Sequence, residues 1–263
     1  MKVKPKKSLG QNFLVNTKII EKIVDCGDLN NIDNIVEIGP GTGNLTKNLI
    51  IKNPRNLFVI EKDENLCTLL GEKFNNTLKV INDDVLNFKL DRLNCSNLVI
   101  FGNLPYNIST QILINWILYD YNFMHIKKLV LMFQKEVADR ILGNVNEKNY
   151  GRLSVIANWK LKITKEFDIE STAFYPKPKV TSTLLSMIPK KNFVKITNPQ
   201  KLEEVTSIFF NQRRKMIKKP LNRIFPNSKT ISEKLNIDTN LRPQNLKPEI
   251  YFELAEILNK SVS

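Results

Sequence analysis

Histidine is almost missing from this sequence: His125 is the only one in 263 residues. That leaves almost no room for histidine-based triads or histidine metal sites, and His125 itself reads as a surface or strand-edge residue. Cysteine is scarce too. Cys26, Cys67 and Cys95 stand far apart with no CxxC pair, which argues against a zinc site or a disulfide framework and suits a reducing cytosol. No run approaches 18 apolar residues, so no transmembrane helix is expected. The N-terminal MKVKPKKS carries four lysines but no apolar stretch behind them, unlike a secretory signal; residues 1–10 read as a basic arm. No G-x-x-x-x-G-K-[ST] segment occurs, so a nucleoside triphosphate is not favoured. Acidic residues are in deficit, 26 against 40 Lys and Arg, for a net charge of +14. Such an excess points to a polyanionic partner, nucleic acid being the commonest.

What is present is a regular alternation. Ile35–Ile38, Leu57–Ile60, Leu78–Ile81 and Leu98–Phe101 are short β-prone apolar runs about 20 residues apart, with helical patterns between them. This spacing predicts βαβ units and a doubly wound, mostly parallel sheet. A fifth strand is expected at Leu129–Phe133, helices near 111–119 and 154–161, and a closely spaced pair of strands over 163–169 and 180–188, which allows an antiparallel addition. From Lys190 onward there are 15 Lys or Arg against 7 Asp or Glu, with prolines punctuating short helical patterns. The chain therefore reads as an α/β domain over 1–189 and a small, basic, all-helical domain over 190–263. Trp116 and Trp159 fall in helical patterns as core residues.

Four strand ends carry the chemistry. VEIGPGTG runs from a strand into a turn where Gly39, Gly41 and Gly43 permit close backbone approach to a ligand. Glu61 ends the next strand, 22 residues beyond Gly39, where doubly wound folds hold ribose hydroxyls. Asn82-Asp83-Asp84 ends the third, with a carboxylate able to accept from an adenine amine. The fourth ends in FGNLPYNIST, residues 101–110. Four tips facing one crevice make a nucleoside pocket. S-adenosylmethionine, an adenosine-bearing ligand without phosphates, is the candidate, and no ligand cluster implies a metal.

Nine segments carry a resemblance: SLGQNFL (8–14), VEIGPGTG (36–43), VIEKD (59–63), NDDVL (82–86), NLPYNIS (103–109), QKEVADR (134–140), YGRLSV (150–155), FYPKPKVTS (174–182) and FNQRRK (210–215). In this order they resemble the ribosomal RNA adenine dimethyltransferases of the KsgA type, across nearly the whole chain. The resemblance implies a Rossmann-like class I methyltransferase fold with a small helical domain. It implies that Asn12, Leu14, Gly39, Glu61, Asp84 and Asn103 bind S-adenosylmethionine: Gly39 at the methionine portion, Glu61 at the ribose, Asp84 at the adenine amine, and Asn103 where cofactor and target base meet. Asp84 is preferred to Asp83 because it directly precedes Val85-Leu86. The implied reaction dimethylates two adjacent adenosines in the 3′-terminal hairpin loop of small-subunit ribosomal RNA. The implied setting is a preribosomal small-subunit particle in the cytoplasm, with the enzyme a monomer.

That resemblance explains the fourth tip. An adenine amine is a poor nucleophile because its lone pair is delocalised into the ring. The Asn103 side-chain oxygen and the Leu104 carbonyl can accept its hydrogens and favour a more tetrahedral nitrogen, stabilising the transition state over the ground state. Pro105 stiffens the turn and pushes Leu104 toward an extended geometry. Tyr106 offers a ring for an extracted base, and the resemblance implies Phe174 as a second aromatic wall. Lys177, Lys179 and the Asn211–Lys219 cluster are candidates for RNA phosphates. Two other readings share the fold. One is the related large-subunit adenine methyltransferase of macrolide resistance, against which NLPY, YGRLSV and FNQRRK speak. The other is a non-catalytic RNA- or DNA-binding assembly or transcription factor, which the intact NLPY and the lack of a long targeting extension disfavour.

Overall fold

The computed structural model describes residues 4–6, 9–75, 77–119, 123 and 125–262. Part of the basic arm expected over 1–10, namely residues 1–3, 7 and 8, lies outside the described residues. The strands are β1 (Phe13–Leu14), β2 (Asn34–Ile38), β3 (Asn56–Glu61), β4 (Lys79–Asn82), β5 (Leu98–Asn103), β6 (Ile126–Gln134), β7 (Leu161–Ile169), β8 (Phe174–Tyr175) and β9 (Ser182–Pro189). Seven of them form a sheet of order β4-β3-β2-β5-β6-β9-β7, while β1 and β8 make a separate antiparallel ribbon. From β4 to β6 all pairings are parallel, and β9 runs antiparallel to β6. The predicted sheet is thus present, with β9 inserted between β6 and β7.

Central strands read as unbroken apolar runs because helices cover both faces of a parallel sheet. Every residue of β2 is buried, whereas edge strand β4 is only partly covered. Helices α1 (Thr17–Asp25), α2 (Asn44–Ile51), α3 (Glu64–Phe74) and α4 (Ser109–Tyr119) alternate with these strands. Asn16 caps α1 by accepting from the Ile19 N–H, and Asp63 caps α3 by accepting from Asn65 N–H, each satisfying a donor that the helix leaves open. The strand order reverses between β2 and β5, which opens a crevice beyond their carboxyl ends.

The chain divides into two compact units. The first comprises Met1–Trp116, Asp120–Ala138 and Lys162–Pro189; the second comprises Ile117–Tyr119, Asp139–Leu161 and Lys190–Ser263. Pro189 is where the chain finally leaves the first unit, but residues 139–161, assigned above to the α/β domain, already pack with the second. After α5 (Lys135–Leu142), the second unit contains α6 (Arg152–Lys160), α7 (Pro199–Phe210), α8 (Lys218–Ile224), α9 (Ser228–Lys234) and α10 (Pro248–Val262). The reason lies in α6, whose Leu153 to Ala157 and Trp159 are buried with α7 and α10 as neighbours. Tyr150, Phe209, Phe210 and Tyr251 form an aromatic cluster at centroid distances of 5.4–6.0 Å. Its buried hydroxyls are satisfied, Tyr150 donating to Leu246 O and Tyr251 to Pro243 O. Both tryptophans are buried, and His125 is exposed. Among the described residues no helix is long and apolar enough to cross a membrane.

Candidate active site

A cavity of about 200 Å³ opens at the carboxyl tips of β2, β3, β4 and β5, roofed by residues 9–14. Asn12, Leu14, Gly39, Glu61, Asp84, Asn103, Leu104 and Tyr106 all line it; Phe174 does not. The tips are laced together by backbone bonds, Gly39 N–H to Ile60 O and Asp83 N–H to Glu61 O. Gly39 and Gly41 hold φ of +64° and +57°, a region that side chains disfavour. At Gly41 a Cβ would also lie 2.7 Å from the Phe13 ring. The glycine turn therefore lets the roof sit directly on the loop.

Four acids line this space, and each is held differently. Glu61 is buried, which pushes its carboxyl up, although backbone N–H groups of Asp63, Lys62 and Gly41 partly offset this. Asp84 is held below the usual carboxylate range by Lys62 Nζ at 2.8 Å and by the Leu86 N–H. Asp83 also lines the cavity, with one carboxylate oxygen paired to Arg92 at 2.6 Å. The fourth acid, Glu37, was not singled out from the sequence, although a charge inside an apolar strand was the available signal. It is 2% exposed and accepts from Thr46 Oγ1 at 2.6 Å. Burial, opposed by that bond and reinforced by nearby Glu61, raises its carboxyl to about 8.

A folded-state value above the ordinary 4.5 means that the native protein keeps a proton the unfolded chain releases. The stability contributed by Glu37 is then present below the unfolded value and lost as pH rises toward about 8. Glu37→Gln keeps an acceptor for Thr46 and removes the titration. Its melting temperature should gain on the wild type by at least about 3 °C between pH 5 and pH 8, at roughly 2–4 °C per kcal/mol for a chain of this size. Parallel melting profiles that keep a constant gap would refute the assignment.

At the fourth tip, Asn103 Nδ2 donates to the Asn12 carbonyl at 2.7 Å. The amide's orientation is thereby set, with its oxygen as the acceptor not engaged in that bond. Tyr106 is held at both ends: its hydroxyl lies 2.7 Å from the fully buried Ser182 Oγ, and its carbonyl accepts from Ser109 Oγ at 3.2 Å. Burial pushes the Tyr106 phenol up, partly countered by Ser182, so it stays neutral.

Phe174, which the resemblance offers as a second aromatic wall, does not line this cavity. It is 4% exposed and packs in the core cluster that contains Leu14, Ala173 and Leu184. The cause is the β1–β8 ribbon, where Leu14 pairs with Phe174 and Phe13 with Tyr175. Paired residues share a face and successive ones alternate. Tyr175, 63% exposed, therefore lies on the face of Phe13, the ring over the glycine turn. The aromatic residue that this loop offers to solvent is Tyr175.

A doubly wound sheet with one antiparallel insertion, and a nucleoside-sized cavity at its strand tips, is the Rossmann-like fold of class I methyltransferases. The structure of a dimethyladenosine transferase from Plasmodium falciparum shares it, with TM-score 0.80 at 28% identity over 95% of this chain and 98% of that one. Residues 2–260 match the family model of ribosomal RNA adenine dimethylases, and the chain belongs to that family. The ribosomal RNA small subunit methyltransferase A of Pelagibacter ubique (strain HTCC1062) is 52% identical over 256 residues, 97% of each chain. The 23S rRNA methyltransferase ErmE has the same fold at TM-score 0.69 and 23% identity, covering 94% of this chain and 100% of its own.

Proposed function

We propose that this protein uses S-adenosylmethionine to dimethylate the exocyclic amines of two adjacent adenosines in the 3′-terminal hairpin loop of small-subunit ribosomal RNA. The observation that carries this reading is the Asn103 amide, turned by Asn12 so that its oxygen serves as an acceptor at the cavity. The cavity's donor set fits the ligand. Glu61 can accept from a ribose diol, Asp84 from an adenine amine, and Gly39 leaves room for the methionine portion. Bound there, the ligand supplies a methyl group on a sulfonium, already an activated leaving group. The chain's part is to orient: Asn103 and the Leu104 carbonyl hold the amine hydrogens, and Tyr106 stacks the extracted base. Such stacking contributes roughly 1–3 kcal/mol per base. Each transfer forms an N–CH₃ bond as the S–CH₃ bond breaks, and the amine releases one proton. Tyr175, Lys177 and Lys179, all exposed or partly so, would meet the RNA around that base.

The second unit would hold the surrounding RNA within a preribosomal particle, with the protein acting as a cytoplasmic monomer. Its FNQRRK segment divides the labour. Arg213 is already occupied, donating to the carbonyls of Glu147 and Lys148 and to Gln244 Oε1. Arg214 and Lys215 are exposed in the turn after α7. Arg214→Ala with Lys215→Ala should weaken RNA binding and reduce the salt slope by about 1–2. Arg213→Ala should instead lower the melting temperature, having broken the clamp on residues 147–148. Equal effects of both on the salt slope would refute this division.

The function is tested by nucleoside mass spectrometry after incubating the protein and labelled S-adenosylmethionine with undermethylated small subunits and, separately, with large subunits. Dimethyladenosine confined to the small-subunit RNA is the expected result. Label in the large subunit would place the protein with the resistance methyltransferases. RNA bound without label in either would leave a binding factor.

A further inference from the structure

Asp63 lies two residues beyond β3 and caps α3, a job that needs only one acceptor for the Asn65 N–H. Its carboxylate does more than that. The side chain is 3% exposed, with Oδ1 receiving Lys6 Nζ at 2.8 Å and Oδ2 receiving Gln11 Nε2 at 3.1 Å. Its own N–H donates to Glu61 Oε1 at 2.9 Å. Lys6 and Gln11 are also joined, the Lys6 N–H donating to Gln11 Oε1 at 2.8 Å. Burial alone would push Asp63 up, but these bonds outweigh it and hold the carboxyl below its usual range. An Asn or Ser would cap a helix equally well; receiving a lysine and a glutamine from more than fifty residues upstream calls for a carboxylate.

The segment so held is the roof of the cavity. At its downstream end it is secured by the β1–β8 ribbon, by Asn44 Nδ2 on the Leu14 carbonyl and by Asn103 on Asn12. Its upstream end rests on Asp63. We propose that Asp63 is a positioning residue that, through Lys6 and Gln11, latches residues 9–14 over the cavity and ties that closure to the orientation of Glu61. The inference rests on the reading of the cavity as the adenosyl site. Two methylations of one amine require the spent ligand to leave between them, so a latch held partly by an exposed lysine would set how readily the roof lifts.

Lys6→Met is the discriminating variant, because it leaves the α3 cap and the Gln11 bond in place. Asp63→Asn keeps the cap and removes the charge. Both should speed hydrogen exchange of residues 9–14 in the ligand-free protein. Both should weaken S-adenosylhomocysteine binding by about three- to tenfold, the scale of one part-exposed charged hydrogen bond, and raise KM for S-adenosylmethionine more than they lower kcat. Unchanged exchange at 9–14 with unchanged affinity would overturn the proposal and leave Asp63 a helix cap. If the wild type itself fails to bind S-adenosylhomocysteine, the reading of the cavity falls, and the ligand-free exchange comparison decides the latch by itself.

Discussion

Asn103→Ala should reduce kcat for adenosine methylation by about 10²–10³, the scale of removing one hydrogen-bonding group aimed at a reacting centre. The loss arises from differential binding. As the amine attacks, it becomes more tetrahedral and its hydrogens more acidic, so an acceptor fixed beside it gains strength in the transition state. Asn103 is prepared for this because its nitrogen is committed to the Asn12 carbonyl at 2.7 Å, leaving the oxygen orientation little freedom. Alanine also leaves that carbonyl without its donor, so KM for the cofactor should rise a few-fold, in keeping with about 1 kcal/mol for a net hydrogen bond. RNA binding should stay within about twofold, since phosphate contacts dominate that affinity. Single-turnover methylation together with filter binding on the same preparation checks both. A variant that loses RNA affinity and keeps its single-turnover rate would sink the assignment.

The second large effect is expected at the other side of the cavity and in the other kinetic constant. Glu61→Ala should raise KM for S-adenosylmethionine by roughly 10² or more, because two charge-assisted hydrogen bonds to a diol are lost at about 1.5–3 kcal/mol each. At saturating cofactor much of kcat should return, since Glu61 lies away from the reacting atoms. The fold should tolerate the change: burial disfavours the Glu61 charge, so removing the carboxylate does not remove a strongly stabilising ion. Calorimetric titration with S-adenosylhomocysteine gives the same comparison without catalysis. Should Glu61→Ala bind it as tightly as the wild type, the ribose lies elsewhere. Asn103 and Glu61 thus predict opposite splits of KM and kcat, which a general loss of folding cannot imitate.

Much of this site is legible in the sequence because its parts are local. Gly39 and Gly41 announce a turn of positive φ, Pro105 restricts the residue before it, and Glu61 and Asn103 end, and Asp84 closely follows, runs whose β character is plain. Parallel strands bring their tips to one edge, so ends spaced some twenty residues apart converge without any further information. The strands at the sheet's far edge were read with similar success, but their order was not, because β9 slots between β6 and β7 through contacts that no local pattern encodes. The domain boundary suffered likewise. Helix α6 looks like any helix following a strand, and only its burial with α7 and α10 assigns it to the second unit.

What the sequence by itself determined about this protein is the alternation, the glycine turn, the acidic and amide strand ends and the basic excess, each a property of neighbours in the chain. The tertiary structure alone decided which groups meet across it. Asp63 joins Lys6 and Gln11, Tyr106 joins Ser182, and Asn103 joins Asn12. It decided that Glu37 is sealed from water, and that Phe174 faces the core while Tyr175 faces solvent. The physical reason is the same throughout. Burial and pairing depend on the register between distant segments, and shifting a two-residue ribbon by one position would exchange those two rings.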